Sequence, residues 1–342
     1  MNTYELQDKF GIVSRVLPKR TTVPIINNFR LKEGKLTATN LEATMTTCIN
    51  TDINALLPAK IAEILPTLSH TETEITATDT KLTIKSGSAN FKLSYEDGID
   101  DYPVMDTPGG QVIELDTGTF YELARSVLFA ASTDSSRLAF NGVLLDIKNG
   151  LLSLTASDTY RLAMASVNVE AADYRALIPA KYLKELLKLK PDKLSIALGK
   201  KQIGFTAGDN TLTIRLLDES YPDVSKVVPA DHKTSINATM DGLNKPLANM
   251  IKRAMLIRDT VQVSVADGEL TIAAEGEVGS MKESLPVNQD GEDVSLHLNG
   301  KYLQDVMGYE GIEILLNGAD GPVIVKRPGY KYTYLVLPIK KM

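Results

Sequence analysis

A chain of 342 residues that is 43% hydrophobic and 23% charged has the make-up of a soluble globular protein long enough to hold several cores, which excludes a disordered or low-complexity class. Its single cysteine, Cys48, excludes an intramolecular disulfide framework, and no stretch approaches about 18 consecutive apolar residues or places an apolar run behind a basic N-terminus, so neither export nor membrane spanning is indicated and a reducing cytoplasm is expected. The net charge of −6, taken as a sum, argues against nucleic acid.

Along the chain, Leu6, Phe10, Val13 and Leu17 fall at i, i+4, i+7 and i+11, one face of a helix expected over residues 3–20. Gly34-Lys35-Leu36-Thr37 sets a turn glycine ahead of a strand. Leu57-Pro58-Ala59-Lys60 opens a second helix with Ile61, Ile64 and Leu65 on its apolar face. Alternation in Leu82-Thr83-Ile84-Lys85 and in Phe91-Lys92-Leu93-Ser94-Tyr95 gives strands with one wet and one dry face, turned at Gly87. The order then begins again. Phe120, Leu123, Val127 and Ala130 form a helix face, Gly150-Leu151-Leu152-Ser153 a strand start, and Ile178-Pro179-Ala180-Lys181 the opening of a helix over 178–193 with Leu183, Leu186 and Leu187 inward; Gly208 precedes the strand Leu212-Thr213-Ile214-Arg215-Leu216. A third pass brings Leu247, Ile251, Ala254 and Met255, then Gly268-Glu269-Leu270-Thr271, then Leu298-Asn299-Gly300-Lys301 before Leu303, Val306 and Met307, and finally Gly329 and Tyr334-Leu335-Val336-Leu337.

These landmarks keep register. Lys60, Lys181 and Lys301 are 121 and 120 residues apart, Gly34, Gly150 and Gly268 are 116 and 118 apart, and Gly87, Gly208 and Gly329 are 121 and 121 apart. A period near 120 is far beyond the roughly 20–50 residues of solenoid repeats and equals an ordinary domain. The expected fold class is α+β: three repeated domains at 1–109, 110–230 and 231–342, each with two helices packed on antiparallel sheets.

Where the charges sit qualifies their sum. The six expected helix segments hold 16 Lys and Arg against 7 Asp and Glu, a net +9 that leaves −15 on the remainder. Lys181, Lys184 and Lys188 lie opposite the leucine stripe of their helix, and Lys245 and Lys252 are placed alike in the third repeat. A lysine on an outer helix face is by default simply solvated. Six helices biased together make an anion-attracting surface, and with few Asn, Gln or aromatic neighbours it suits phosphate contact without base readout.

Catalytic constellations are missing. His70, His232 and His297 are far apart, no metal-ligand spacing occurs, and no nucleophile elbow or phosphate-binding glycine loop is found. Cys48 sits in a strand-like run, where a small buried hydrophobe is expected. Acidic pairs such as Asp100-Asp101 and Glu72 with Glu74 read as turn and edge-strand solubilisers. No cofactor or metal is expected.

Ala156-Ser157-Asp158-Thr159-Tyr160-Arg161-Leu162-Ala163 after Arg137-Leu138-Ala139-Phe140-Asn141-Gly142, the turn Tyr221-Pro222-Asp223 with Val228-Pro229 behind it, Thr22-Val23-Pro24-Ile25 after Arg20, and the ending Tyr334-Leu335-Val336-Leu337-Pro338-Ile339 together resemble the bacterial DNA polymerase III β subunit family, the sliding clamps. The resemblance spans the whole chain. It implies a non-catalytic processivity factor: a homodimer closed head to tail into a ring of six domains, helices inward and sheets outward, around duplex DNA and opened by a clamp-loader ATPase. Replicative polymerase and repair proteins are implied to dock short Gln-containing apolar peptides between domains two and three.

Carried over by position, the resemblance implies a peptide pocket of Phe140, Ser157, Thr159, Tyr160, Arg161, Leu162, Pro222, Lys226, Val227, Asn299, Tyr302, Leu335, Val336, Leu337, Pro338 and Ile339, with Leu162, Val227 and Val336 lining an apolar slot. It implies a dimer contact of Phe91 and Leu93 with Leu256 and Ile257 of a second copy. For DNA it points to Arg20 and Lys181, to which the charge pattern adds Arg137, Lys184, Lys188, Lys245 and Lys252. This chain departs from the family's usual pattern: Thr159-Tyr160 stands in place of Gly-His, Phe140 in place of an aliphatic residue, and Leu138-Ala139 where some clamps contact DNA with tyrosines, while the loop near Arg258-Asp259-Thr260 is short. Two rivals stay open: an acidic scaffold that does not bind DNA, and an enzyme using scattered carboxylates.

Overall fold

The computed structural model describes residues 1–78, 81–94, 98–189, 193–224, 226–237, 244–307, 311–327 and 331–340. Two compact units emerge: Met1–Tyr121 with Lys181–Leu216, and Glu122–Ala180 with Leu217–Met342. Six α-helices lie among the described residues, two per repeat: α1 (Thr3–Val13), α2 (Ile61–Ile64), α3 (Thr117–Leu128), α4 (Ala180–Leu186), α5 (Asn244–Met255) and α6 (Gly300–Gln304).

The first unit holds an eight-stranded antiparallel sheet in the order Ala55–Pro58, Asn28–Lys32, Lys35–Thr39, Ala43–Cys48, Asn210–Arg215, Gln202–Ala207, Lys193–Leu198, Gln111–Asp116. Its central seam pairs Ala43–Cys48 of the first repeat with Asn210–Arg215 of the second, Met45 opposite Leu212. A separate sheet contains Glu74–Ala77, Lys81–Ser86 and Ala89–Ser94. In α1, Asn2 caps the helix by accepting from the amides of Tyr4 and Glu5, and Leu6, Phe10 and Val13 are buried as their spacing requires. Phe10 meets Phe29 edge to face at 5.1 Å.

The second unit holds a nine-stranded antiparallel sheet in the order Tyr174–Pro179, Gly142–Lys148, Leu151–Ser157, Arg161–Asn168, Tyr332–Val336, Val323–Lys326, Glu313–Leu316, Thr234–Asn237, Asn288–Gly291. Its seam likewise joins two repeats, Arg161–Asn168 with Tyr332–Val336. The other sheet is ordered Gly279–Pro286, Glu269–Gly276, Thr260–Ala266, Val294–Asn299. A cavity of about 20 Å³ inside its core is walled by Leu247 and Ile251 of α5, Leu303 of α6, and Ile314, Leu316 and Val323 of the large sheet.

The glycines ahead of strands prove to be the same turn three times. Glu33-Gly34, Asn149-Gly150 and Asp267-Gly268 each have φ between +51° and +75° at both residues, the two-residue hairpin loop whose twist matches paired strands. Gly87 and Gly208 are also left-handed at +58° and +61°, whereas Gly329 and Tyr95 lie outside the described residues.

Helix boundaries differ from expectation. Leu57-Pro58, Ile178-Pro179 and Leu298-Asn299 are the last residues of strands, so this landmark marks a strand-to-helix junction. The residue before a proline is pushed to extended backbone, and proline itself gives the ladder no donor. The first helix ends at Val13, continues as a 3-10 turn over Ser14–Val16, and stops at Leu17, extended ahead of Pro18. The α4 helix stops at Leu186, and Lys193 begins a strand. Leu187 and Met255 are half-buried, and Cys48, expected to be buried, is exposed because it ends its strand on the face opposite Thr47.

Replacing Phe10 by Ala removes a ring that is 1% exposed, and should destabilise the chain by about 3–5 kcal/mol in urea unfolding.

Candidate functional site

The clamp-like motif lies within the second unit, at the hairpin Ser157–Arg161. The Asp158 carboxylate accepts from the amides of Tyr160 and Arg161, both at 3.0 Å; Ser157 Oγ donates to the Arg161 carbonyl (2.7 Å) and accepts from the Thr159 amide (3.1 Å). Thr159 is forced to φ +78°, a region unfavourable to a β-branched residue and natural for the glycine that the family usually carries there. Arg137 Nη1 donates to its hydroxyl at 2.6 Å, holding the tip.

Sheet register then sets the floor. Leu162 pairs with Leu335, Leu335 with Ile324, and Ile324 with Leu315, forming one straight apolar row with Met164, Val224 and Val228 packed against it. A second cluster, Leu144, Leu177 and Tyr221 with Ala139, Phe140 and Leu217, shares Val224 with the first; Phe140 stands edge-on to Tyr221 at 5.7 Å. Because side chains alternate along a strand, Val336 points away from Leu162 and is fully buried. Leu335, not Val336, therefore shares the face of Leu162, and both are buried beneath Val224 and Val228. Around this floor Leu138, Tyr160, Val227, Leu337 and Ile339 remain exposed, an unusual density of large apolar side chains in solvent. The C-terminal segment is held over the sheet by Leu337 donating to the Tyr160 carbonyl (2.9 Å) and Ile339 to the His297 carbonyl (2.7 Å), with Pro338 half-buried between them. Pro222 and Lys226 are exposed on the segment that carries Val224 and Val227.

Ser157 and Arg161, expected among the pocket residues, are buried and act as scaffolding. Arg161 Nε donates to Asp158 (3.0 Å), Nη1 to Asp305, and Nη2 to the Phe129 carbonyl (2.6 Å), while the guanidinium stacks 4.3 Å from the Tyr302 ring centroid. Burial works against its charge, yet Tyr334, Asp158 and Asp305 outweigh burial and hold its pKa above the usual value. Asn299 caps α6 by accepting from the Lys301 amide (3.0 Å), which sets half-buried Tyr302 in place for this stack. Leu315, Ile324 and Val224 were not singled out by sequence; strand register and packing reveal that they meet on this face.

The cationic residues present a mixed picture. Arg20, Arg137, Lys181, Lys184, Lys188, Lys245 and Lys252 are all exposed. The α-helices themselves carry eight basic residues (Lys9, Arg125, Lys181, Lys184, Lys245, Lys252, Arg253, Lys301) against five acidic (Glu5, Asp8, Glu63, Glu122, Glu185), so the helical excess is smaller than the +9 of the expected segments. Arg20 and Lys188 lie just beyond helix ends. Several cations are also paired: Lys181 with Glu42, Lys188 with Glu185 (2.7 Å), and Arg253 with Glu283 (2.6 Å). Lys184, Lys245 and Lys252 form no ion pair among the described residues. Glu42 also accepts from the Tyr182 hydroxyl (2.7 Å).

The expected dimer residues sit on open features. Among the described residues Ala89–Ser94 pairs on one side only, with Lys81–Ser86, and it carries half-buried Phe91 and Leu93. Leu256, just beyond α5, is 80% exposed, and Ile257 is half-buried. Among the described residues no His, Cys, Asp and Glu group suits a metal ion, and no helix is long and apolar enough to cross a membrane.

Three helix-pair repeats joined through shared sheets define a clamp-type fold, and the comparisons agree. The N-terminal, central and C-terminal domain models of the DNA polymerase III beta subunit match residues 1–106, 114–223 and 225–340. The beta sliding clamp of Halalkalibacterium halodurans is 30% identical over 351 residues, covering 92% of this chain and 91% of that one; the Bacillus subtilis clamp is 30% identical over 299 residues, covering 82% and 78%. The crystal structure of the Bacillus subtilis DNA polymerase sliding clamp superposes with a TM-score of 0.92 at 26% identity, covering 100% of this chain and 98% of that one, and the Thermotoga maritima DNA polymerase III beta subunit with 0.90 at 26%, covering 100% and 99%. The chain belongs to the DNA polymerase III beta subunit family, the beta sliding clamps.

The hydrogen bond from Lys181 holds the Glu42 carboxyl below the usual glutamate range, aided by Tyr182 and Arg215 against the opposing effect of burial. A lowered folded-state pKa gives stability that is present above the unfolded value and lost as pH falls through the folded one. The advantage of the native chain over Glu42→Gln, at most about 1 kcal/mol for a solvent-screened pair, should begin to fall at the ordinary glutamate range and vanish below it as urea midpoints are followed down from neutral pH. A pH-independent gap would assign it to packing instead.

Proposed function

We propose that two copies of this chain close head to tail into a ring of six domains, with domains at 1–109, 110–230 and 231–342, that encircles duplex DNA and tethers polymerases to it. The observation that carries this reading is the likeness to sliding clamps from one end of the chain to the other. The edge strands Ala89–Ser94 and Gly279–Pro286 each lack a second neighbour among the described residues, and head-to-tail association that closes leaves no such edge free. In this arrangement Phe91 and Leu93 meet the Leu256 and Ile257 of a second copy, which would cover the most exposed large apolar side chain described.

DNA contact is through phosphate, by Arg20, Arg137, Lys181, Lys184, Lys188, Lys245 and Lys252, without sequence readout. The partial pairing of these cations with carboxylates suits a ring that slides: retention comes from topological linkage, and the electrostatic hold stays weak. The site over Leu162, Leu335 and Ile324 takes short apolar peptides of the replicative polymerase and of repair proteins, and a clamp-loader ATPase opens the ring. The protein works in the cytoplasm, without catalysis and without a cofactor of its own.

Leu256→Lys combined with Ile257→Lys should yield a folded chain of half the native mass by light scattering; an unchanged mass would remove these residues from the interface. The ring itself is tested by loading the protein onto nicked circular DNA with a clamp-loader complex. Retention on the circle and loss through the ends after linearisation are expected, whereas equal loss from both would favour an acidic scaffold that does not enclose DNA.

A further inference from the structure

Beside the apolar row Leu162, Leu335, Ile324 and Leu315 runs a second cross-strand row, Met164, Thr333, Lys326 and Glu313, each residue two positions along the same strand. Two residues along a strand return to the same face about 7 Å away, so both rows belong to one surface of the sheet. A cavity of about 550 Å³ lies over the second row, lined by all four of its residues and by Arg327 and Lys331. Met164 packs against the apolar row and also lines this cavity, so the floor is continuous from one to the other.

The chemistry changes along that floor. The first row is purely aliphatic, and the cavity beyond it holds Lys326, Arg327 and Lys331 against the single carboxylate Glu313. Arg327 is engaged by Glu122 at 3.0 Å, and Lys331 Nζ donates to the neutral Asn168 side chain at 2.8 Å and enters no ion pair among the described residues. Lys326 is exposed and enters no ion pair among the described residues. In a chain of net charge −6, a concave basic site against the end of an apolar groove is a local reversal of sign. A site of this size suits a short peptide segment, and lysine and arginine at its walls suit carboxylates.

We infer that this cavity is an acidic-residue subsite of the peptide groove: partner peptides anchored by apolar side chains over Leu162 and Leu335 are selected further for Asp or Glu flanking the anchor, read chiefly by Lys326. The inference rests on the peptide-groove reading above.

The test uses fluorescence anisotropy with labelled, C-terminally amidated peptides: Gln-Leu-Ala-Leu-Phe alone, and the same core extended at either end by Asp-Asp or by Asn-Asn. One Asp-Asp form should bind about fivefold more tightly than its Asn-Asn counterpart at low ionic strength, with the gap closing as salt rises. Lys326→Glu should erase that preference while leaving the core and Asn-Asn peptides unchanged. Equal binding of Asp-Asp and Asn-Asn forms at both ends, or a preference that survives Lys326→Glu, overturns the subsite and leaves the groove intact. Failure of every peptide, the core included, overturns the groove reading and the subsite with it.

Discussion

Backbone pairing across two seams, Ala43–Cys48 with Asn210–Arg215 and Arg161–Asn168 with Tyr332–Val336, is the constraint on which the other features depend. A strand at the end of a sheet exposes a row of donors and acceptors that must be satisfied somewhere. Here each repeat lends such a strand to the next, so compact units form across repeat boundaries and the sequence period and the packing period do not coincide. The consequence for function is direct. The apolar row from Leu162 to Leu315 exists only because a strand of the second repeat lies in register with one of the third; a shift of one residue would exchange the faces of Leu335 and Val336.

A buried polar knot supports that register. Arg161 is tied to Asp158 in its own hairpin, to Asp305 just beyond α6 and to the carbonyl of Phe129 just beyond α3, while its charged plane lies on Tyr302. The partners outside the hairpin come from α6 and from the end of α3, so the side chain fixes both of these elements against the hairpin at once. Removing it would leave two carboxylates short of a partner in a largely enclosed site, the situation in which a buried ion pair matters most. The exposed apolar side chains of Tyr160 and Leu337 are thus carried on a charged support.

Much of the fold was legible before any coordinates. Apolar spacing placed Leu6, Phe10, Val13, Phe120, Leu123, Val127, Leu247 and Ile251 in the core, and the turn glycines marked three hairpins of one type. These signals are local, arising from helix period, strand alternation and left-handed backbone. What escaped is non-local. Strand registers across 160 or more residues cannot be read from periodicity, and so neither the seams nor the row from Leu162 to Leu315 was anticipated. Helix starts were misplaced because Leu57-Pro58 and Ile178-Pro179 read as helix openings while they also end the strands before them. The pairing of Lys181 with Glu42 joins residues 139 apart, and a charge count along the chain has no means of finding it.

Cys48 gives the fold one further property. As the chain's only sulfhydryl, exposed at the end of a seam strand whose neighbouring backbone is fixed on both sides, it offers thiol-directed reagents one point of attachment per chain. A fluorophore coupled there reports from a rigid platform with no competing label to subtract. Two such dyes in an assembled dimer give one distance, which turns assembly and opening into spectroscopic observables without any engineered residue.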